Sequence, residues 1–528
     1  MSILHPIRTI LAVPACLAVL LTTGLTSALP GAVAAPADPT GTPVKVTTSR
    51  AEARDALAEA RAVLSGQAPA AADATMALRR LWQLRGELTG ADRAAADRLL
   101  ARPDDERPGG AWQSSCTPDN CYHWATAGAD AVAAGDTDAD GVPDYVETVA
   151  ATVDGVRATY VGAGYRAPKG DGVLGGNAEN DIYLADVGND SLYGYCTSDM
   201  PLPANPTTWD AWAYCVLDND YSTGQFPTNT PLENLQVTAA HEYFHAVQFG
   251  YDAFEDSWLM EATATWAEDE LFDGVDDNLQ YLPESPLKKP GQPLDTFNAA
   301  GAQYGTWIFF RFLTERLTDT AGGMPTLVRD IWRRADGAAG GPDDYSMQAI
   351  TRVLADRGVG VPEAYALFAT ANRAPALWYG EGAANHYPSV APTDTVKLST
   401  SKKDSGWGRA RLNHLTSLTA RFVPGRGLGS TAWKLKVAVD LPDVASGPAA
   451  VVTVYRRSGA PVVSQLSLTS SGKATRKVAF GSKGVRYVEL TIANASTRYD
   501  CWTDGAYTCQ GSSLDDGRTV LLRATAVK

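Results

Sequence analysis

The sequence predicts an α+β body that follows a helical segment and precedes an all-β sandwich. Three patterns carry this prediction. Leu81, Leu84 and Leu88 recur at helical spacing near the amino terminus, and residues 111–390 mix short apolar strands with long helical patterns. Beyond Pro392 the period changes to two, with Trp433, Leu435, Val437, Val439 and Leu441 on one face. At 528 residues the chain is longer than one core normally serves, and its 45% hydrophobic content excludes a wholly disordered protein. A net charge of −15 argues against attraction to nucleic acid or membrane through bulk charge.

In chain order, Arg8 and the apolar run Ile10–Leu29, closing on Ala32-Val33-Ala34, have the layout of a secretory signal over residues 1–34, so the mature chain is expected to begin near Ala35. No later stretch approaches 18 uninterrupted apolar residues, so no further membrane span is expected. Residues 35–110 form a helical segment, a subdomain or a propeptide, ending in the charged Pro/Gly-rich stretch from Arg102 to Gly110, which reads as an exposed tether. Residues 111–390 hold the α+β unit, with Asp181–Asp186 as a representative strand. Residues 391–528 hold the sandwich, with strands at Val451–Tyr455, Val485–Ile492 and Thr519–Val527. Residues 392–528 carry a net +11 beside −26 for the remainder. That split predicts either docking of the two regions or adhesion of the β-region to anionic cell-surface polymers.

Chemistry concentrates in Ala240-His241-Glu242-Tyr243-Phe244-His245. A helix turns about 100° per residue, so His241 and His245 stack on one face and offer two imidazole nitrogens to one Zn²⁺. Glu242, one step around, is placed to take a proton from an activated water. Trp258–Glu268 reads as a second helix that supplies Glu261 as third ligand, with Glu268 two turns further on to orient a histidine N–H. Asp252 is the alternative third ligand. Tyr304, opening a later helical run, is the candidate donor to the oxyanion, with core packing as its other reading.

These two segments resemble the gluzincin branch of the zincin metallopeptidases, which includes thermolysin. They are closer still to secreted bacterial metallopeptidases with an H-E-x-x-H-x-x-Q segment, a later W-x-x-E-[AG]-x-A-x-W-x-E helix and a β-rich tail. The resemblance spans roughly residues 110 to 320. It implies a zincin-like catalytic domain and a zinc-dependent endopeptidase acting on protein or peptide substrates, with His241, His245 and Glu261 as ligands and Glu242 as base. Two departures stand out: Thr265 occupies the place of an Asp four residues after the ligand Glu, and the interval of 16 from His245 to Glu261 is short for that branch. The alternatives are a non-catalytic extracellular binding protein on the same scaffold and a zinc hydrolase of a non-peptide bond.

Asp136-Thr137-Asp138-Ala139-Asp140-Gly141-Val142-Pro143-Asp144-Tyr145-Val146-Glu147 places carboxylates at positions 1, 3, 5, 9 and 12, with Gly at 6. That order suits a structural Ca²⁺ loop held by Asp136, Asp138, Asp140, the Val142 carbonyl, Asp144 and Glu147. Removing Cys16 with the signal leaves six cysteines, and short separations favour Cys116–Cys121, Cys196–Cys215 and Cys501–Cys509 among the fifteen possible pairings. An even cysteine count behind a signal predicts a secreted, extracellular protein.

Overall fold

The computed structural model describes residues 49–67, 74–106, 108–203 and 206–528. The expected signal segment and cleavage site lie outside the described residues. Helix α1 (Arg50–Leu64) opens on a capping box, Ser49 with Glu52, and packs with α2 (Ala74–Leu84) and α3 (Gly90–Leu99). A short helix α4 (Pro103–Glu106) follows. The tether expectation meets a limit here. Asp105, Glu106 and Gly109 are exposed, but Arg102 is buried and ion-paired to Asp171, Asp181 and Asp199, so the stretch is anchored at its amino end.

The body is built on a five-stranded sheet in the order β1-β2-β3-β5-β4: β1 (Trp112–Cys116), β2 (Asn120–Ala125), β3 (Asn180–Ala185), β4 (Gly194–Thr197) and β5 (Tyr214–Asp218). Strands β2, β3 and β5 are parallel, while β1 and β4 run antiparallel at the two edges. The three parallel strands are buried at every position, as expected where both faces are covered. Helix α5 (Asp144–Gly162) connects β2 to β3, burying Val146, Val149, Val153, Val156 and Tyr160 at helical spacing.

Helix α6 (Pro231–Asp252) starts from the Thr230/Glu233 capping box with Pro231 in its first turn, and is buried almost all round from Asn234 onward. Tyr160 Oη donates to Ala240 O at 2.7 Å, tying α5 to it. A four-residue turn leads to α7 (Ser257–Leu271), which packs against α6 and against the short helices α8 (Ala302–Gly305) and α9 (Trp307–Thr314). A small hairpin, β6 (Thr320–Ala321) with β7 (Met324–Pro325), precedes α10 (Leu327–Arg334), α11 (Ser346–Asp356) and α12 (Val361–Ala371).

The carboxyl-terminal region is β-rich, so the chain is an α+β mix. One sheet runs β13-β12-β15-β10-β8 and the other β14-β11-β18-β9, formed by β8 (Asp394–Leu398), β9 (Gly408–Leu412), β10 (Thr416–Pro424), β11 (Lys434–Asp440), β12 (Pro448–Arg456), β13 (Val462–Gln465), β14 (Lys473–Ala479), β15 (Val485–Asn494) and β18 (Arg518–Val527). Alternation in β11 places Leu435, Val437 and Val439 in an apolar core shared with Val452, Leu490 and Ile492 of the other sheet. Two short strands, β16 (Tyr499–Asp500) and β17 (Ser512–Ser513), bracket the Cys501–Cys509 loop. Helix α12 packs on β12 and β15, and Leu415, Val451 and Ala493 join the core of the α+β body. Disulfides link Cys116 to Cys121, Cys196 to Cys215 and Cys501 to Cys509. Among the described residues, no helix is long and apolar enough to cross a membrane.

Candidate metal centre

The middle of α6 and the start of α7 bring His241, His245 and Glu261 together, with ligand-capable atoms within 4.8 Å of one another. The two Nε2 atoms lie 3.0 Å apart, His241 Nε2 is 3.2 Å from Glu261 Oε2, and His245 Nε2 is 3.2 Å from Glu261 Oε1. His245 and Glu261 are fully buried, and the His241 side chain is 13% exposed.

The outer nitrogens fix the tautomers. Gln248 Nε2 donates to Met260 O at 2.9 Å and to Thr263 Oγ1 at 3.1 Å, so its Oε1, 2.7 Å from His245 Nδ1, must accept a proton from that ring. His241 Nδ1 lies 2.5 Å from Glu268 Oε1 and donates to it. Both Nε2 lone pairs therefore converge on one point together with a carboxylate. Glu261 Oε1 has no hydrogen-bond donor, although it is buried. Two lone pairs and an unsatisfied anionic oxygen facing each other form a place that a cation would satisfy, and a His₂Glu donor set fits Zn²⁺.

Electrostatics follow the same arrangement. Burial works against charge on His241, but the carboxylates of Glu261 and Glu268 outweigh it and hold the imidazole well above its ordinary range. His245 is also raised, burial being outweighed by Glu261. Burial would raise Glu261, yet the facing imidazoles pull it below the usual carboxylate range. Burial lifts Glu268 to about 7, the hydrogen bond from His241 opposing the rise. Glu242 is lifted by burial, with the neighbouring histidines opposing. A metal ion bound there would take the place of the protons that these imidazoles attract.

Glu242 is 7% exposed and accepts at Oε2 from Thr75 Oγ1, 3.1 Å away on α2. Tyr304 stacks on Tyr281 at 4.8 Å between ring centroids, with its ring 6.2 Å from that of His241, so it borders the cluster. Asp252 stands apart from the cluster, at the end of α6, where it accepts from Phe254 N at 2.7 Å. Sequence reasoning missed two contributors. Gln248, three residues after His245, supports that ring through its Oε1; the H-x-x-Q spacing was the available signal. Thr75 offered none, because it lies 167 positions from Glu242.

The acidic loop differs in kind. Asp136, Asp138 and Asp140 bring carboxylate oxygens within 4.8 Å of one another, all exposed. Asp136 accepts from Gly141 N at 3.0 Å and Asp140 from Val142 N at 2.8 Å, with Gly141 at φ +96° making the turn. Asp144 turns its two oxygens to Thr137 N and Oγ1, each at 2.8 Å, and stands outside the cluster. Glu147, in the first turn of α5, is raised by desolvation and by Asp138 and Asp140. Hard oxygen donors suit Ca²⁺. A third group, Asp269, Asp273 and Glu381, already surrounds a cation, the guanidinium of Arg311.

No family model matches the chain, and no curated protein matches it. Among solved structures, a family GH115 4-O-methyl-α-glucuronidase with specificity for decorated arabinogalactans aligns at 10% identity and a TM-score of 0.14, over 56% of this chain and 38% of that one. A likeness this slight carries no argument about fold or activity.

Proposed function

We propose that the chain is a secreted zinc-dependent peptidase on a zincin-like body, hydrolysing peptide bonds with His241, His245 and Glu261 as metal ligands and Glu242 as the base. The observation that carries this reading is the pair of inward-facing Nε2 lone pairs opposite the unsatisfied Glu261 oxygen. A zinc ion held there would supply a Lewis acid that activates water and polarises the scissile carbonyl. Glu242, beside the ligands and lifted by burial, takes a proton from the attacking water and returns it to the departing amine. Tyr304, bordering the cluster, donates to the oxyanion. Gln248 and Glu268 hold the rings in the tautomer that leaves Nε2 free. A purely structural or ligand-binding centre has no need of a buried carboxylate beside the open face, which favours catalysis over the binding-protein reading.

Three disulfides suit an oxidising compartment, and a Ca²⁺ held by Asp136, Asp138 and Asp140 would brace the start of α5. The test is metal analysis of the purified chain with casein hydrolysis measured before and after limited proteolysis. One zinc per chain, lost in His245→Ala, and chelator-sensitive hydrolysis are expected. Stoichiometric zinc without hydrolysis in either form overturns the peptidase reading.

A further inference from the structure

Helix α2 lies where a peptide substrate of this site would have to lie. Strand β4 is one edge of the sheet and packs against α2, and its Cys196 N–H donates at 3.0 Å to Thr75 Oγ1, whose own proton goes to Glu242. One buried hydroxyl thus uses both groups that an extended substrate and its attacking water would need: the edge donor and the base. One helical turn on, Arg79 enters a corner between the end of α6 and the start of α7. There it donates to Glu255 O at 2.6 Å, Ser257 Oγ at 2.7 Å and Ala253 O at 3.3 Å. Burial lowers its pKa, and the charges of Asp252, Glu261, Asp256 and Glu255 oppose that fall. The groups that Arg79 touches, two backbone carbonyls, a hydroxyl and the Met260 sulfur, all accept, so without a cationic donor the corner would leave buried carbonyls uncompensated. Trp82 Nε1 donates to Met200 O at 2.8 Å, and Gln83 Nε2 to Ala253 O at 3.0 Å, so α2 spans the gap from the strand to the helical turn.

Resting on the peptidase reading, we propose that α2 occupies the peptide-binding cleft as a resident blocker, and that the corner holding Arg79 is the subsite for a cationic side chain of the peptide that replaces it. The segment leaves after cleavage in the exposed Asp105–Glu106 stretch. Four residues of helix rise about 6 Å, the reach of about two extended residues. The preferred substrate therefore carries Arg or Lys about two positions from the residue over Glu242.

The experiment uses the zinc-loaded full chain, intact and nicked at residues 104–106, with the nicked segment removed by gel filtration. Three readouts are taken: cleavage of a mixed peptide library, anisotropy of a labelled peptide of residues 74–87, and binding of that peptide carrying Arg79→Glu. Expected are cleavage at least about tenfold faster by the segment-free chain, binding of the labelled peptide to that chain only, and binding about tenfold or more weaker for the Arg79→Glu peptide, as loss of charge-assisted hydrogen bonds requires. Arg79→Glu in the intact chain should raise its cleavage rate; where that variant fails to fold, the peptide measurements decide. Equal rates for intact and segment-free chains, or full activity in a nicked chain that retains α2, overturn the blocker. Equal binding of both peptides, or cleavage indifferent to basic residues, overturns the cationic subsite. A segment-free chain that binds zinc and discriminates the peptides yet cleaves nothing supports the cleft and sinks the peptidase reading.

Discussion

Two buried histidine clusters in this chain solve opposite problems. His414, in the β-rich region, sits between carboxylates, with Nε2 2.9 Å from Asp295 Oδ1 and Nδ1 2.6 Å from Asp516 Oδ1. Each nitrogen faces an acceptor, so a doubly protonated ring satisfies the site without help. At His241 and His245 the outer nitrogens find acceptors, but the inner two face each other at 3.0 Å. Protons on both would collide there, one proton must be shared among two rings and Glu261, and a proton on neither leaves Glu261 uncompensated. The same residue types make a closed ion pair in one place and, on the reading proposed above, a coordination site in the other. What differs is whether the second ring nitrogen points at an acid or at another imidazole.

The largest effects should come from the open cluster. Glu242→Gln is expected to keep zinc and the fold while hydrolysis falls by about 10²–10⁴-fold, since the histidines hold the metal and the carboxylate moves the proton. Metal content and turnover of the segment-free chain check this, and unchanged turnover would remove Glu242 from the mechanism. Gln248→Leu should weaken zinc binding by about 10–100-fold, because His245 loses the acceptor that fixes its tautomer. Competition with a chromophoric chelator measures it. A variant that holds zinc as tightly as the parent would show that the ring needs no such support.

His414→Gln tests the closed cluster through stability instead. Asp295 is pulled below its ordinary range, burial being outweighed by His414 and Thr508, while His414 is raised, burial being outweighed by Asp295 and Asp516. The raised imidazole contributes stability that is complete below its unfolded value of about 6.5 and disappears as pH rises through the folded value. The lowered Asp295 contributes above about 3.9 and loses its share as pH falls through its own folded value. The parent's advantage over the variant should therefore be about 2 kcal/mol near pH 5.5 and shrink on the alkaline side. Urea denaturation across pH 5–9 reads the trend, and a constant difference would mean that the ring is not charged in the fold.

The contrast also marks what the sequence could carry. Local periodicity places His241 and His245 on one helix and Glu261 and Glu268 on the next, because each helix sets its own spacing. The alternation in Leu435, Val437 and Val439 likewise announces the sandwich. Contacts between distant segments left no such trace. Thr75 on Glu242 and His414 on Asp295 depend on how helices and sheets dock, which no window of sequence contains. Net charge does not specify the contacts: the Asp295–His414 pair follows the overall signs, while the basic β-region also offers Glu489 to Arg373 at 2.7 Å, reversing them. Interfaces are read by pairs of atoms, not by totals.

The acidic loop extends the comparison to an exposed site, where the effect depends on the ion supplied. Asp136, Asp138 and Asp140 converge as acids do around an ion, but they face solvent, and backbone N–H groups already satisfy part of each one's demand. A cation there gains less than at the buried cluster, because water competes for it and screens the repulsion among the carboxylates. Calcium at a hundred times its dissociation constant should stabilise the fold by about 2.7 kcal/mol, raising Tm by a few degrees. Replacing Asp136, Asp138 and Asp140 by Asn should abolish that rise while leaving zinc content unchanged, since the metal cluster is held by α6 and α7 and not by this loop. Differential scanning fluorimetry with and without calcium makes the measurement. If the parent chain melts identically in both, the loop is a solvated acidic turn whose backbone hydrogen bonds suffice. If the Asn variant also loses zinc, the loop and the start of α5 are coupled to α6 more tightly than the Tyr160 contact with Ala240 suggests.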